Sequence, residues 1–371
     1  MNRIDELEGL RGLLAVWVVA VHLLPAAGIE PHSFGIFAPL FGELIRVQIF
    51  CIMSGFVIFM MMAKLQESYP VYLARRVKRI YPVFILAFVL SILMSGIAYE
   101  ALKAAEYGGA RNALRLKLFE DSFAHWPYHV LAHATLTHGI IPEHWLPNGA
   151  YAFLGQAWNI STEFQFYVIA PLVFWCLHRP SLLLRGLLVA GLFTVWWLFR
   201  KWPNNADLAQ YAVYFATGIV SYYAWKRDWS DRRFFNPATV ILASALMCWL
   251  DFALAGWIFV FGSALIVRDQ NRPTGYVASL LQHPIMLWLG AISYSLYLLH
   301  MIPLYFWMYV INGFHLGQAS YALLLTTLTF ATAIPMSFLC NKYVESVFYK
   351  SKTHRRPAAA TALEAPVNIP R

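Results

Sequence analysis

The sequence predicts an all-α protein, a polytopic bundle of about ten transmembrane helices with both termini in the cytoplasm. Of its 371 residues, 60% are hydrophobic and 13% are charged, a composition that a soluble core does not need. Apolar runs of about 20 residues, the length of a membrane-spanning helix, recur along the chain. Basic residues are concentrated between alternate runs, as in cytoplasmic loops. The lipid bilayer is therefore the first expected partner.

Each predicted span is an apolar run, and in chain order the runs cover 9–27, 36–63, 80–98, 158–178, 182–199, 208–225, 236–252, 254–267, 285–310 and 319–341. Placing the N-terminus inside puts 21 of the 28 Lys and Arg residues on the cytoplasmic side and 7 outside, as the positive-inside rule expects. An even number of spans returns the C-terminus to the cytoplasm. The eighth run is short, so nine or eleven spans are also compatible with the pattern.

We interpret residues 1–348 as one membrane domain and residues 349–371, which are rich in Ala and Pro, as a disordered cytoplasmic tail. Residues 99–157 form a long extracytoplasmic segment, in which ARNALRLKLFEDSF predicts an amphipathic helix at the membrane surface. No cleavable signal peptide is expected, because the first residues mix acidic and basic side chains. The net charge of +9 follows the loop topology, so no nucleic-acid partner is expected.

The first span, GLRGLLAVWVVAVHLLPAA, carries Arg11 and His22. Ionisable side chains in a spanning helix are costly and are functional candidates by default. Eleven residues are close to three helical turns, so the two side chains share a face about 16 Å apart along the axis. This spacing suits a long ligand with an anionic end and a reactive end, such as an acyl-CoA thioester. The alternative is that Arg11 extends to the interface and His22 bonds a neighbouring helix.

A basic cluster precedes the third span in the stretch YLARRVKRIYP. Arg76 and Arg79 are three residues apart and share a helix face. Paired guanidinium groups suit phosphate, because each binds two oxygens at once. Alternatively, the cluster only fixes the topology or binds anionic headgroups.

The fourth span opens with AWNISTEFQFYVIAP, in which Glu163 and Ser161 lie about one turn below the outer edge. His22 has a similar predicted depth in the first span. A His–carboxylate pair at one depth is the usual arrangement of a general base and its orienting partner, so we expect His22 and Glu163 to meet. The alternative is a structural hydrogen bond between packed helices.

Two further spans carry candidate polar residues. His300 and Tyr297 lie in the ninth span, on a face that is expected to line a polar tunnel or to contact substrate. In the second span, Ser54 and Gly55 allow close approach of another helix or a ligand, with helix packing favoured. The outer segment carries five histidines, but no Cys or nearby acid completes a zinc site, so no metal is expected. They are His125, His129, His133, His138 and His144.

Taken together, these motifs resemble the integral-membrane acyltransferase-3 family, whose members O-acylate extracytoplasmic glycans. The resemblance covers about residues 3–348. In chain order, the matching motifs are Arg-x10-His (Arg11, His22), Ser-Gly-Phe (Ser54, Gly55, Phe56), Arg-x-x-Arg-Ile-Tyr-Pro (Arg76, Arg79, Ile80, Tyr81, Pro82), the Trp-to-Tyr element at 158–167, Ser-Tyr-x-x-Tyr-x-x-His (Ser293, Tyr294, Tyr297, His300) and a partly kept Glu-x-Pro-Phe (Glu345, Phe348). The sequence departs from the family at Phe164, where a second glutamate is frequent, and at Val347, where a proline is usual.

The resemblance implies a membrane O-acyltransferase of the bacterial cytoplasmic (inner) membrane. It would move an acyl group, most often acetyl, from cytoplasmic acyl-CoA to a hydroxyl of an extracytoplasmic or lipid-linked glycan. Lipopolysaccharide O-antigen, exopolysaccharide and cell-wall polymers are all compatible acceptors. Direct transfer and a covalent acyl intermediate both remain open. A transporter or flippase for a lipid-linked glycan is the alternative, because intramembrane His, Glu and Arg residues also occur in transport pathways.

The resemblance also implies roles for individual residues. Acetyl-CoA or another acyl-CoA would place its phosphates on the three inner arginines, and a general base with an orienting carboxylate would act at the outer end. Further residues would contact substrate or line its tunnel. The assignments are Arg11, Arg76 and Arg79 for acyl-CoA, His22 and Glu163 for catalysis, and Ser54, Ser161, Tyr297 and His300 for the tunnel.

Overall fold

The computed structural model describes residues 4–42, 44–227, 236–270 and 276–349, and all regular secondary structure within these ranges is helical. The all-α prediction is therefore confirmed for the part of the chain that the structure describes. Residues 350–371 of the predicted tail lie outside the described residues.

The α-helices differ widely in length, from single turns to a helix of 35 residues. In chain order they are α1 (Asp5–Ala26), α2 (Ala38–Phe41), α3 (Leu44–Leu65), α4 (Tyr69–Lys103), α5 (Ala110–Ala124), α6 (Trp126–Ala134), α7 (Trp158–Leu177), α8 (Leu182–Phe199), α9 (Leu208–Lys226), α10 (Pro237–Met247), α11 (Phe252–Gln270), α12 (Tyr276–Leu281), α13 (Pro284–Leu299), α14 (Met301–Asn312), α15 (Gln318–Cys340) and α16 (Ser346–Tyr349). Short 3₁₀ turns cover Pro31–Phe37, Gly149–Tyr151 and Gly155–Ala157, and a π-helical turn covers Asn341–Glu345.

Six stretches of the described chain are long and apolar enough to cross a membrane, and the bent pair α13–α14 makes a seventh if it counts as one span. The six are Asp5–Ala26, Pro31–Leu65, Tyr69–Lys103, Gly155–Leu177, Leu182–Phe199 and Gln318–Phe348. The predicted spans at 208–225, 236–252 and 254–267 correspond to α9, α10 and α11. Of these, α10 has only 11 residues, about half the length that crosses the hydrocarbon core. The count of ten spans and the orientation of the termini stay predictions.

The basic stretch before the third predicted span is helical. It forms the first turns of α4, which is 35 residues long and therefore about 50 Å from end to end. This length exceeds the roughly 30 Å of the hydrocarbon core, so α4 extends beyond the membrane. Arg76 and Arg79 are thus held on a rigid helix rather than on a mobile connection.

Helix α1 packs against α13 through glycines. A Cβ atom at Gly12 would lie 2.6 Å from the backbone nitrogen of Gly290, and one at Gly290 would lie 2.1 Å from the carbonyl oxygen of Glu8. Such close backbone approach is typical of helix pairs in membranes, where small residues permit dense packing. The pair fixes the depth and rotation of α1, and therefore the positions of Arg11 and His22.

Helix α3 packs against α9 in the same manner. A Cβ atom at Gly55 would lie 2.3 Å from the carbonyl oxygen of Phe215, and one at Gly218 would lie 2.0 Å from that of Ile52. The favoured interpretation of Gly55 as a helix-packing residue is confirmed.

The predicted surface helix of the outer segment is α5, and one of its faces is buried. Asn112, Arg115, Phe119 and Ser122 are buried, and α5 packs against α1 and α4. The buried face of this amphipathic helix contacts the protein, because the side chains at these spacings point into the bundle.

Candidate active site

Two histidines from distant parts of the sequence meet near the C-terminal end of α1. His22 lies one turn before the end of α1, and His300 lies between α13 and α14. Their ring centroids are 5.1 Å apart, with the ring planes inclined by 41°. Both histidines are candidates from the sequence, but their proximity is a tertiary feature.

A sharp bend positions His300. The axes of α13 and α14 differ by 58°. Pro303 explains the bend, because a proline cannot donate a hydrogen bond to the carbonyl four residues earlier and its ring clashes with that carbonyl. The affected carbonyl belongs to Leu299, so the helix breaks at the following residue, His300.

The hydrogen bonds of His300 define its neutral tautomer. Its Nδ1 lies 2.8 Å from the carbonyl oxygen of Tyr297 and 3.2 Å from that of Leu296. A carbonyl only accepts hydrogen bonds, so Nδ1 carries the proton and Nε2 keeps its lone pair. His300 is fully buried, and its Nε2 has no hydrogen-bond partner within the described part of the chain. This nitrogen is therefore able to accept a proton.

His22 has the opposite arrangement. Nη2 of Arg115 lies 3.1 Å from Nδ1 of His22 and 3.2 Å from its carbonyl oxygen. Arginine only donates hydrogen bonds, so Nδ1 is the acceptor and neutral His22 carries its proton on Nε2. In this tautomer the Nε2–H group of His22 is a hydrogen-bond donor. A general base needs the reverse, a lone pair aimed at the substrate.

A cavity of about 360 Å³ adjoins His22. Tyr297 also lines it, and its hydroxyl donates a hydrogen bond to the carbonyl of Gln156. The Gln156 amide donates in turn to the carbonyl of Leu298, at 2.7 Å. These bonds hold the end of the outer segment against α13 and form one wall of the cavity. The volume is within the range of small-molecule sites.

Three arginines that the sequence analysis did not single out line this cavity: Arg46, Arg111 and Arg115. Arg111 and Arg115 are four residues apart on α5 and so share a helix face. The spacing of the two arginines was visible in the sequence. Their burial was not, because it depends on how α5 packs on α1.

The predicted pairing of His22 with Glu163 is replaced by other contacts. The Oε1 atom of Glu163 accepts hydrogen bonds from Ser54, at 2.8 Å, and from Tyr167. Glu163 lies five residues beyond Trp158, a cavity-lining residue, and is therefore about 7.5 Å further along α7. The prediction was wrong because equal depth in two helices does not make their facing sides meet.

Ser161 also has a different environment from the predicted one. Its hydroxyl donates to the carbonyl of Leu136, at 2.7 Å, and accepts from the backbone N–H of Gly139, at 3.1 Å. Ser161 is fully buried. These contacts attach the outer segment to α7, so Ser161 and Ser54 are both engaged in contacts between chain segments.

The three arginines that were predicted to bind phosphate have distinct partners. Arg79 forms an ion pair with Glu345, whose other oxygen accepts from Ser295 at 2.9 Å. The Arg76 guanidinium lies 5.8 Å from the ring centroid of Tyr167 and is buried, and its Nε and Nη2 have no hydrogen-bond partner among the described residues. Arg11 is partly exposed, with Glu8 at 3.8 Å. Of the three predicted phosphate ligands, Arg76 therefore has buried guanidinium nitrogens without an acceptor among the described residues.

Two of the five histidines at 125–144, His133 and His138, form a buried stack. The rings of His133 and His138 are 4.1 Å apart and parallel, and Phe88 stacks on His133 at 4.7 Å. Burial lowers the pKa of His138 to about 4 and that of His133 well below its usual value. Within the described ranges, no three His, Cys, Asp or Glu side chains are grouped to hold a metal ion.

A family model described as an acyltransferase domain, of the integral-membrane acyltransferase-3 type, matches residues 4–340. The chain is also similar to the peptidoglycan O-acetyltransferase OatA of Listeria monocytogenes serovar 1/2a (strain ATCC BAA-679 / EGD-e), with 23% identity over 333 residues. That match covers 80% of this chain and 49% of the relative, so the chain spans about half the length of the curated relative that it matches. No solved structure matches the chain.

Proposed function

This chain belongs to the integral-membrane acyltransferase-3 family, and from this premise we propose that it is a membrane O-acyltransferase that moves an acyl group, most simply acetyl, from cytoplasmic acyl-CoA to a hydroxyl of an extracytoplasmic or lipid-linked glycan. The observation that carries the proposal is the contact of His300 with His22, which lines a cavity together with three arginines. One ring offers a donor and the other an acceptor, as acyl transfer requires.

The acyl donor enters from the cytoplasmic side in this proposal. Its phosphates bind at the inner end, where Arg76 supplies buried, unsatisfied guanidinium nitrogens and Arg11 supplies a second charge. Arg79 is engaged with Glu345, so its role is to hold α4 against the C-terminal helices rather than to bind phosphate. The roughly 16 Å between Arg11 and His22 along α1 is spanned by the pantetheine arm.

The hydrogen bonds assign the chemical roles. The Nε2–H of His22 donates to the thioester carbonyl oxygen, which becomes negatively charged as the acceptor attacks. His300 Nε2 accepts the proton of the attacking sugar hydroxyl. A bond forms between the sugar oxygen and the acyl carbon, the carbon–sulfur bond breaks, and the proton passes from His300 to the leaving CoA thiolate. The general base is thus His300 and not, as the sequence had indicated, His22.

Glu163 has an indirect role in this scheme. Its hydrogen bond fixes Tyr167, over whose ring Arg76 lies. Loss of the Glu163 carboxylate therefore disturbs the inner, donor-binding end and not the proton transfer. The site operates in the bacterial cytoplasmic membrane, which separates the donor from the acceptor.

Mass spectrometry of surface glycans tests the function directly. Three strains are compared: one without the gene, one restored with the wild type and one restored with His22→Ala at a matched amount in the membrane. We expect an acyl mass increment with the wild type and none in the other two. The absence of an increment in all three strains, together with altered glycan export on deletion, would contradict acylation and favour transport of a lipid-linked glycan.

A further inference from the structure

The cavity beside His22 is strongly cationic. Arg46, Arg111 and Arg115 line it, and Glu143 is the carboxylate that accompanies them. Among the described residues that line this space of about 360 Å³, three permanent positive charges thus accompany one acidic side chain. Arginine stays protonated in proteins at any physiological pH, so this excess of charge persists.

Arg115 is the centre of the cluster. The residue is only 6% exposed, and its Nη2 is bound to His22. Its Nη1 is buried and has no hydrogen-bond partner within the described ranges of the chain. A buried guanidinium nitrogen without an acceptor is unfavourable, and an anion in the cavity would remove that cost.

The other two arginines are held at the same cavity by separate elements. Arg46 lies in the first turn of α3, donates to the carbonyl of Leu40 at 3.0 Å and lies over the ring of Trp17. Arg111 lies one turn before Arg115 on α5 and is partly exposed. Planar guanidinium groups from several directions match carboxylate or phosphate oxygens, which accept two hydrogen bonds from one arginine.

The position of the cluster separates it from the donor phosphates. It lies at the outer end of α1, whereas Arg11 and Arg76 lie toward the inner end. The acyl end of a thioester carries no charge, so the donor does not require three arginines at this point. The positive charge of the three cavity arginines therefore serves to bind the second substrate, the acceptor glycan.

We propose that the acceptor glycan carries an anionic group, a carboxylate or a phosphate, on the acylated sugar or on the sugar next to it, and that Arg46, Arg111 and Arg115 bind this group. The inference rests on the proposed function and narrows its acceptor to acidic glycans. Binding of the anion would place the neighbouring hydroxyl beside His22 and His300, which lie next to Arg115.

The first test locates the acyl ester. Surface glycans from strains with and without the chain are compared by NMR and mass spectrometry, and the ester is assigned to a sugar. A carboxylate or phosphate on that sugar or its direct neighbour supports the proposal. An ester on a sugar whose neighbours are all neutral overturns it while leaving the acyltransferase function intact. The absence of any acyl difference would instead reject the function itself.

The second test measures discrimination by the purified protein. The acidic oligosaccharide is compared with the same oligosaccharide after carboxyl reduction and after phosphatase treatment, which distinguishes the two anions. We expect removal of the relevant group to lower kcat/KM about tenfold or more, because a charge-assisted hydrogen bond is lost. Equal rates with charged and neutral acceptors would overturn the proposal.

Variants on α5 test whether the arginine cluster causes the preference for a charged acceptor over a neutral one. Arg111→Gln is expected to reduce the preference for the charged acceptor to within about threefold, mainly through a higher KM. Lys117→Gln removes an exposed charge from the same helix and is expected to keep the full preference. Retention of the full preference by Arg111→Gln would show that the arginine is structural. A thermal melt of each variant confirms that it is folded.

Discussion

At the scale of the residue, the partner of a histidine determines its chemistry more than its place in a motif. Arg115 donates to Nδ1 of His22, whereas a backbone carbonyl accepts from Nδ1 of His300. The two imidazoles consequently present opposite faces, a donor and an acceptor. Two separate sequence motifs contain these histidines, one in each, but neither motif shows the hydrogen bonds that distinguish them.

Glutamine substitutions test this assignment, because the glutamine amide donates a hydrogen bond but does not accept a proton at neutral pH. We expect His22→Gln to retain at least about tenfold more activity than His22→Ala, since loss of one such donor typically costs 10²–10³ in kcat. His300→Gln is expected to be as inactive as His300→Ala. The measurement is acceptor-dependent release of CoA thiol. Higher residual activity in His300→Gln than in His22→Gln would identify His22 as the general base instead.

Arg76→Lys tests the donor site. The substitution keeps the positive charge that influences topology but removes the planar fork that binds two oxygens. We expect the KM for acyl-CoA to rise about tenfold with little change in kcat, as for the loss of one charge-assisted hydrogen bond.

Arg75→Lys is the matched control for this variant, because Arg75 pairs with Glu67 at the partly exposed face of the same helix. It is expected to leave the KM unchanged. An unchanged KM in Arg76→Lys would mean that Arg76 serves only topology or packing.

At the scale of the element, glycines set the spacing between helices. Gly290→Ala would place a methyl group 2.1 Å from the carbonyl oxygen of Glu8, whereas the corresponding atom at Gly96 has nothing within 4 Å. We expect Gly290→Ala to lower the free energy of unfolding by about 1–3 kcal/mol or more. Gly96→Ala is expected to be neutral or to stabilise by up to about 1 kcal/mol, because alanine favours the helix.

Thermal melts of the two variants in the same detergent provide the comparison. Activity is informative as well, because α1 carries His22 and a displaced α1 would separate it from His300. Equal melting temperatures for Gly290→Ala and Gly96→Ala would show that α1 and α13 do not require close contact.

At the scale of the whole molecule, the buried histidine stack makes stability depend on pH. Burial lowers the pKa of His138 to about 4, whereas an unfolded histidine titrates near 6.5. Between these values the unfolded chain binds more protons than the folded one, so stability falls as the pH is lowered. For His138 the full loss is roughly 3 kcal/mol, reached when the pH passes below about 4.

We therefore expect the melting temperature of the wild type to decrease from pH 7 to pH 4.5. The His138→Phe variant keeps an aromatic ring against His133, and we expect its melting temperature to decrease less steeply over the same range. His144→Phe changes an exposed histidine and is expected to keep the wild-type slope. If the melting temperatures of the wild type and of His138→Phe changed equally with pH, protonation of the histidine stack would not lower the stability of the fold.

The sequence alone determined the membrane class, the helical architecture and the candidate residues His22, His300, Arg76 and Tyr297. Apolar run length and the cost of intramembrane charge are local properties, readable along the chain. Only the tertiary structure decided that His22 contacts Arg115 and His300, and that Glu163 joins Ser54 and Tyr167. Hydropathy gives the depth of a residue but not the rotation of its helix, and the rotation is set by close packing between helices, as at Gly12 and Gly290.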